Sequence, residues 1–270
     1  MASQTERILI LAKTYPSPSA RYFETSCVAG ITQDGQMRRL FPVPFRMLND
    51  HQKFQKWQWI DVRVGKARDD HRQESYRVSV DTVECGERIG TAHGWAERQG
   101  WLQRAPHCQH VGEIPQDISL ALLRPDKLLR LEITPARHKN WTPEEQEKLM
   151  RAHLQTSLFA EPAEALRDLA TLRKIPFDFY YHYECDTPQG RCVDKHKIVD
   201  WEVGALFWNC WKAGGEKGWE QHFRNKLETT FQAKDMMFLM GNIHRFRSQW
   251  LIISLIYPPK AEIPRQGMLF

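Results

Sequence analysis

The N-terminal half of this chain is built from short runs of β-branched and aromatic residues cut apart by turn formers, a pattern that commits it to β structure. Strands are predicted over Arg7–Ala12, Phe23–Ile31, Met37–Val43, Trp57–Val64 and Tyr76–Val83. Turn chemistry sits at Asp34-Gly35, with breakers at Pro16 and Pro18. A short helix near Ile118–Leu123 leads into a further strand at Leu128–Thr134. Many short strands with few helices predict a compact, partly open barrel over residues 1–136, comparable in layout to modules that bind nucleic acids or nucleotides.

Beyond residue 136 the pattern turns helical. Thr142-Pro143-Glu144-Glu145 reads as a capping box with proline at the first helical position, opening a helix to about Phe159. A second helix is expected over Pro162–Arg173. Then come an aromatic strand, Phe177–Tyr183, and a helix from Lys195 to Lys212 that ends at Gly214-Gly215. Another helix is expected over Trp219–Ala233, with Trp219, Phe223, Leu227 and Phe231 as a core stripe at four-residue spacing. Met236–Met240 and Trp250–Tyr257 read as strands joined by a loop, residues 241–247, that holds two arginines, a histidine and Phe246. The expected class is α+β: a β-rich barrel, a helical connection with a smaller α+β module over residues 137–260, and an exposed tail, residues 261–270.

No apolar run approaches the roughly 20 residues that span a bilayer, and the start of the chain lacks the flanks of a secretory signal, so the expected compartment is the cytoplasm. Six cysteines there are core residues or metal ligands rather than disulfides. A net charge of +5 permits an anionic partner without requiring one. Ten tryptophans beside 38 lysines and arginines tilt the balance towards nucleic acid, because rings and guanidinium groups stack on bases while cations neutralise phosphates. There is no phosphate-binding glycine loop and no Gly-x-Ser-x-Gly elbow, which lowers the standing of ATPase, nicotinamide-enzyme and serine-hydrolase readings.

Three constellations offer chemistry. The first is His182, Cys185, Cys192 and His196, thiolate and imidazole ligands of the kind zinc prefers, with a turn at Thr187–Gly190 to bring them together. Against it, a regular strand through residues 177–185 sends His182 and Cys185 to opposite faces, and ordinary packing is the competing reading. Cys185, Cys192 and Cys210 around an iron–sulfur cluster and the polar run His107-Cys108-Gln109-His110 are lesser candidates.

The second constellation is acidic. Asp200 and Glu202 follow His196 at the expected helix start, where Asp200 would share a face with His196. Glu202 would point about 160° away in a regular helix. Asp178 and Lys226 are further members if separate elements converge on a nuclease-like site; helix-start acids in solvent are the plainer reading. The third is basic. Lys13, Arg39, Arg46 and Arg72, with Ser17 and Ser19 as hydrogen-bond donors, cluster at strand ends and loops where small barrels place binding groups. Glu24 and Glu74 are acid–base candidates beside them, and a solvated loop set is the alternative.

The last five residues, Gln266-Gly267-Met268-Leu269-Phe270, resemble the short peptide by which bacterial replication and repair proteins dock on the DNA sliding clamp: Gln, two variable residues, Leu or Met, then Phe. The resemblance implies that Leu269 and Phe270 fill an apolar cleft while Gln266 orients them. Gly267 departs from the commoner leucine, which weakens the implied contact, and the alternative is that the pair folds back on its own domain. Together these features lead to the expectation of a DNA-associated accessory or processing protein tethered to the clamp, with zinc as the candidate cofactor. The alternatives are an enzyme on a small nucleotide or modified nucleoside, or an interaction subunit of a repair or antiviral defence assembly.

Overall fold

The computed structural model describes residues 3–19, 21–156, 172–188, 190–231 and 233–260. The helix expected at Pro162–Arg173 falls almost wholly outside the described residues, as do Gln266, Leu269 and Phe270. The class is α+β as expected, with a barrel, a second sheet and, among the described residues, three α-helices.

The barrel is made by β1 (Gln4–Lys13), β3 (Phe23–Thr32), β4 (Met37–Val43), β5 (Gln58–Lys66) and β6 (Ser75–Arg88), with the short β2 (Ser17–Ser19) added beside β3. It closes, because β1 pairs with both β3 and β5. All barrel neighbours are antiparallel except β4 and β6, which run parallel. Five strands in this Greek-key order have the layout of oligonucleotide- and oligosaccharide-binding barrels. β1 carries the reason for the rest of the architecture. Its period of two sends Ile8 and Ile10 into the barrel with Val28, Leu40, Ile60 and Val62. Leu9 and Leu11 point out of the barrel and are equally buried, against Leu120, Leu122, Met237, Leu239 and Ile253 of the second sheet.

That sheet has seven strands in the order β7 (His107–Cys108), β8 (Leu120–Leu123), β12 (Met237–Ile243), β13 (Phe246–Ile256), β11 (Gly190–Ile198), β10 (Phe177–Thr187), β9 (Lys127–Pro135). Its other face packs on α3 (Trp201–Arg224), through Tyr181, Tyr183, Phe238 and Met240 against Phe207, Trp219 and Phe223. The layers are therefore barrel, sheet and helix. α1 (Ala92–Leu102) links the two sheets, and α2 (Pro143–Thr156) opens on the expected capping box, the Glu145 amide donating to Thr142 Oγ1 at 3.2 Å and the Thr142 amide to Glu145 Oε2 at 2.8 Å.

Four expectations need correction. Residues 118–123 were expected to be helical, but 120–123 form β8, because Leu120 and Leu122 face the barrel while Leu123 faces α3. The strand at Leu128–Thr134, grouped by sequence with the barrel, is β9 of the second sheet, so the C-terminal module is the larger one. The helix expected from Lys195 begins only at Trp201; residues 190–198 are a strand, and Asp200 caps the helix. Gly214-Gly215 bends α3 rather than ending it, Gly215 alone taking non-helical torsions (φ 63°, ψ −168°). The stripe Trp219, Phe223, Leu227 and Phe231 is buried as expected, its last part carried by a π-helical turn at Asn225–Thr230.

Candidate functional site

A cavity of about 700 Å³ lies where one face of the barrel meets the β12–β13 hairpin. The barrel contributes β3 and β4 (Thr25, Cys27, Arg39, Phe41), the loop around β2 (Thr14, Tyr15, Ser17, Arg21, Tyr22) and the segment leading into β6 (Asp69, Asp70, Arg72, Ser75, Tyr76, Arg77). In barrels of this layout the second and third strands and the loops beside them form the binding face. The second sheet roofs it with Gly241, Asn242, His244, Arg245 and Ile253.

Arg39 is the more deeply buried of the two buried cations that line the cavity, the other being Arg72. Its Nη2 donates to Ser119 O at 2.8 Å and its Nη1 to the Cys27 thiol at 3.3 Å, while Nε has no hydrogen-bond partner. A Cβ at Gly241 would lie 3.2 Å from Arg39 Nη2, so glycine keeps β12 clear of the guanidinium. Arg72 is held in place: Nε and Nη2 donate to Asp70 at 2.9 and 2.5 Å, and Nη1 to Asn242 O at 2.7 Å. Burial alone would raise the Asp70 pKa, yet the Arg72 and Ser75 bonds hold this carboxyl well below the usual carboxylate range. Ser119, the hinge of this network, donates its amide and hydroxyl to Glu74 at 2.7 and 2.9 Å. Arg21, His244 and Arg245 are exposed around the mouth, and Arg77 pairs with Asp69 there. Five arginines against two aspartates, with Tyr15, Tyr22, Phe41 and Tyr76, make a cationic, aromatic-walled recess suited to a polar anion that carries a flat ring.

Of the residues singled out by sequence, the cavity gathers Ser17, Arg39 and Arg72. Lys13 lies elsewhere, its Nζ donating to Phe54 O at 3.0 Å beneath the Phe45 ring, and burial pushes its pKa down to about 8. Arg46 pairs with the buried Glu24 at 3.3 Å. Ser19 accepts the Tyr22 amide at 3.3 Å and so shapes the loop. Glu74, spent on Ser119, supports the cavity floor from behind.

Asp200, Glu202 and Lys226 do converge, around a separate cavity of about 200 Å³ with mostly apolar walls. Both Asp200 oxygens are used: Oδ1 accepts the Glu202 amide at 2.7 Å and Oδ2 the Leu255 amide at 2.8 Å. Burial raises the Asp200 pKa. Its role is to cap α3 and fasten it to β13. Asp178 pairs with Lys197 instead.

The set His182, Cys185, Cys192 and His196 is not brought together. In the β10–β11 hairpin Cys185 is opposite Cys192 and Tyr181 opposite His196, but His182 faces the other way and bonds Glu132 at 2.6 Å. His196 is engaged by the Tyr183 hydroxyl at 2.8 Å. Strand alternation decides this outcome.

Sequence reasoning missed Cys27, Phe41 and Tyr76, which read as ordinary strand positions, and Asn242. His244 and Arg245 had been noticed as members of a basic loop; most of that loop is strand, leaving His244–Arg245 as the hairpin turn.

Residues 4–104 match a family described as a domain of unknown function, DUF8758, and residues 108–270 match another, DUF8757. The seam falls between α1 and β7, so each match corresponds to one sheet. No curated protein matches the chain. Because the second match covers well over half of its residues, the chain belongs to the family of the domain of unknown function DUF8757.

Proposed function

We propose that this is a DNA-associated accessory or processing protein that holds one unpaired nucleotide of a single strand in the cavity between barrel and second sheet, and that its C-terminal peptide docks on the sliding clamp. The observation that carries the reading is the cavity itself. Its volume of about 700 Å³ lies in the range of small-ligand pockets, roughly 300–1,000 Å³. That is room for a nucleotide and too little for a base pair with its two backbones. Arg39 inside and Arg21, Arg77 and Arg245 at the mouth supply cations for phosphate, and Tyr15, Tyr22, Phe41 and Tyr76 supply faces for a base. Fold layout adds an analogy, not a proof, since one barrel layout serves many ligands. Tethering through Gln266, Leu269 and Phe270 would raise the local concentration of a modest binder at DNA.

Fluorescence anisotropy with a labelled single-stranded oligonucleotide tests the cavity. Binding should weaken with salt, and the triple variant R21A/R77A/R245A should lose about 2 units of log–log salt slope, at about 0.7 per phosphate contact on single strands. Absence of binding at low salt, or an unchanged slope, overturns the reading. Pulldown of the clamp with and without residues 266–270 tests the tail: capture that survives the deletion removes the tether.

A second reading is favoured by the roof that β12 and β13 place over the cavity: an enzyme on a free nucleotide or modified nucleoside. It predicts that a mononucleotide binds as tightly as the oligonucleotide and with little salt dependence.

A further inference from the structure

On the α3 side of the second sheet, remote from the cavity, β11 presents Cys192 and Asp194 two residues apart and therefore on one face. His110, from the segment after β7, reaches over that face. His110 nitrogen, Cys192 sulfur and an Asp194 carboxylate oxygen all lie within 4.8 Å of one another. Asp194 Oδ2 is buried and makes no hydrogen bond, although His110 Nε2 is 3.1 Å away. The two atoms are close but not aligned as donor and acceptor, which is how two ligands of a shared centre sit.

We propose that His110, Cys192 and Asp194 bind a zinc-class divalent cation, with the fourth tetrahedral position left to water or an added ligand. Imidazole, thiolate and carboxylate are the three donor types zinc takes from proteins, and ligand atoms around it lie about 3.3–3.8 Å apart, given bonds of about 2.0–2.3 Å. Side-chain adjustments of about 1 Å therefore suffice to close the site. One further adjustment is required. The Gly112 amide donates to His110 Nδ1 at 3.0 Å, whereas ligation through Nε2 puts the ring proton on Nδ1, so this amide must turn away. It sits in the 3₁₀ turn Val111–Glu113, which contains no buried residue and can give. A bound ion would pin the connection between β7 and β8 onto β11, two elements that do not pair in the sheet.

The test uses the full chain. Elemental analysis after purification, and zinc titration of chelator-treated protein, should give one zinc per chain for wild type and for the control H182A, whose ring lies on the other face of the hairpin. C192S and, independently, D194N should lose stoichiometric zinc while circular dichroism stays native. If either variant fails to fold, the wild-type readouts decide: titration must shift the Gly112 amide resonance, and cobalt in place of zinc must give a thiolate charge-transfer band. Wild type that takes up no zinc, a Gly112 resonance unmoved by saturating zinc, or a folded C192S that binds zinc like wild type overturns the proposal and leaves only a close His110–Asp194 contact.

Discussion

Replacing Glu74 separates a structural role from a chemical one. Its two oxygens accept the Ser119 amide at 2.7 Å and the Ser119 hydroxyl at 2.9 Å, all buried, and Ser119 O in turn accepts Arg39 and the Asn242 amide. E74A strands two buried donors that were bonded to a charged acceptor, a loss of about 1.5–3 kcal/mol each, less for the hydroxyl because it can rotate, giving about 3–5 kcal/mol in all. E74Q behaves differently: its carbonyl keeps the amide bond, its NH₂ donates to the hydroxyl oxygen after the rotor turns, and about 1 kcal/mol is lost with the charge. In urea unfolding with a slope of about 3 kcal/mol per M, E74A should lower the midpoint by about 1–1.7 M at unchanged slope, and E74Q by about 0.3 M. Hydrogen exchange at the Ser119 amide should accelerate in E74A alone. If E74Q unfolds as early as E74A, or E74A leaves the midpoint unmoved, the bonding argument is wrong.

Three other outcomes follow from the same kind of reasoning. Asp70 has a depressed carboxyl pKa, so its stabilising contribution is complete above the ordinary value of 3.8 and disappears as pH falls through the lower folded value. D70N should therefore be less stable than wild type by a constant margin from about pH 5 upward, and the margin should narrow under stronger acid, as read by thermal melts across pH. Lys13 has a slope of the same sign in a higher window, because its charged form is the one burial penalises: with its pKa lowered from 10.5 to about 8, the unfolded chain binds the extra proton between these values and stability rises with pH across that window. K13M should remove this rise relative to wild type; parallel melting curves for the two proteins from pH 7.5 to 10 would count against it. At Gly204 a Cβ would fall 2.3 Å from Tyr15 Cδ2, so G204A should cost about 1–3 kcal/mol by overpacking and shift the fluorescence of Trp208, which donates to the Tyr15 hydroxyl at 2.8 Å.

The barrel strands were legible because each is a β-branched or aromatic run bounded by turn formers, and the stripe from Trp219 to Phe231 because its spacing has one helical solution. β8 was misread because four consecutive apolar residues buried on both faces carry no period that distinguishes strand from helix. β11 was misread because Asp194, Lys195, His196 and Lys197 look solvated, whereas alternate members face the α3 side. The cavity was only partly legible. Loops around β2 and before β6 carried visible serines and cations, but Phe41, Tyr76 and Asn242 acquire meaning only when separate segments meet. The candidate ligand set was misgrouped in a similar way: sequence proximity put His182 with the cysteines, whereas the atoms within 4.8 Å of the Cys192 sulfur belong to Asp194 and to His110, some eighty residues upstream.

β1 has no side that can face water. With Ile8 and Ile10 in one core and Leu9 and Leu11 in another, a chain cut between the two family matches would leave the first fragment with a greasy outer wall and deprive the second of what covers it. Separating the two parts at that seam would therefore require a replacement surface on each fragment before either could stay apart in water.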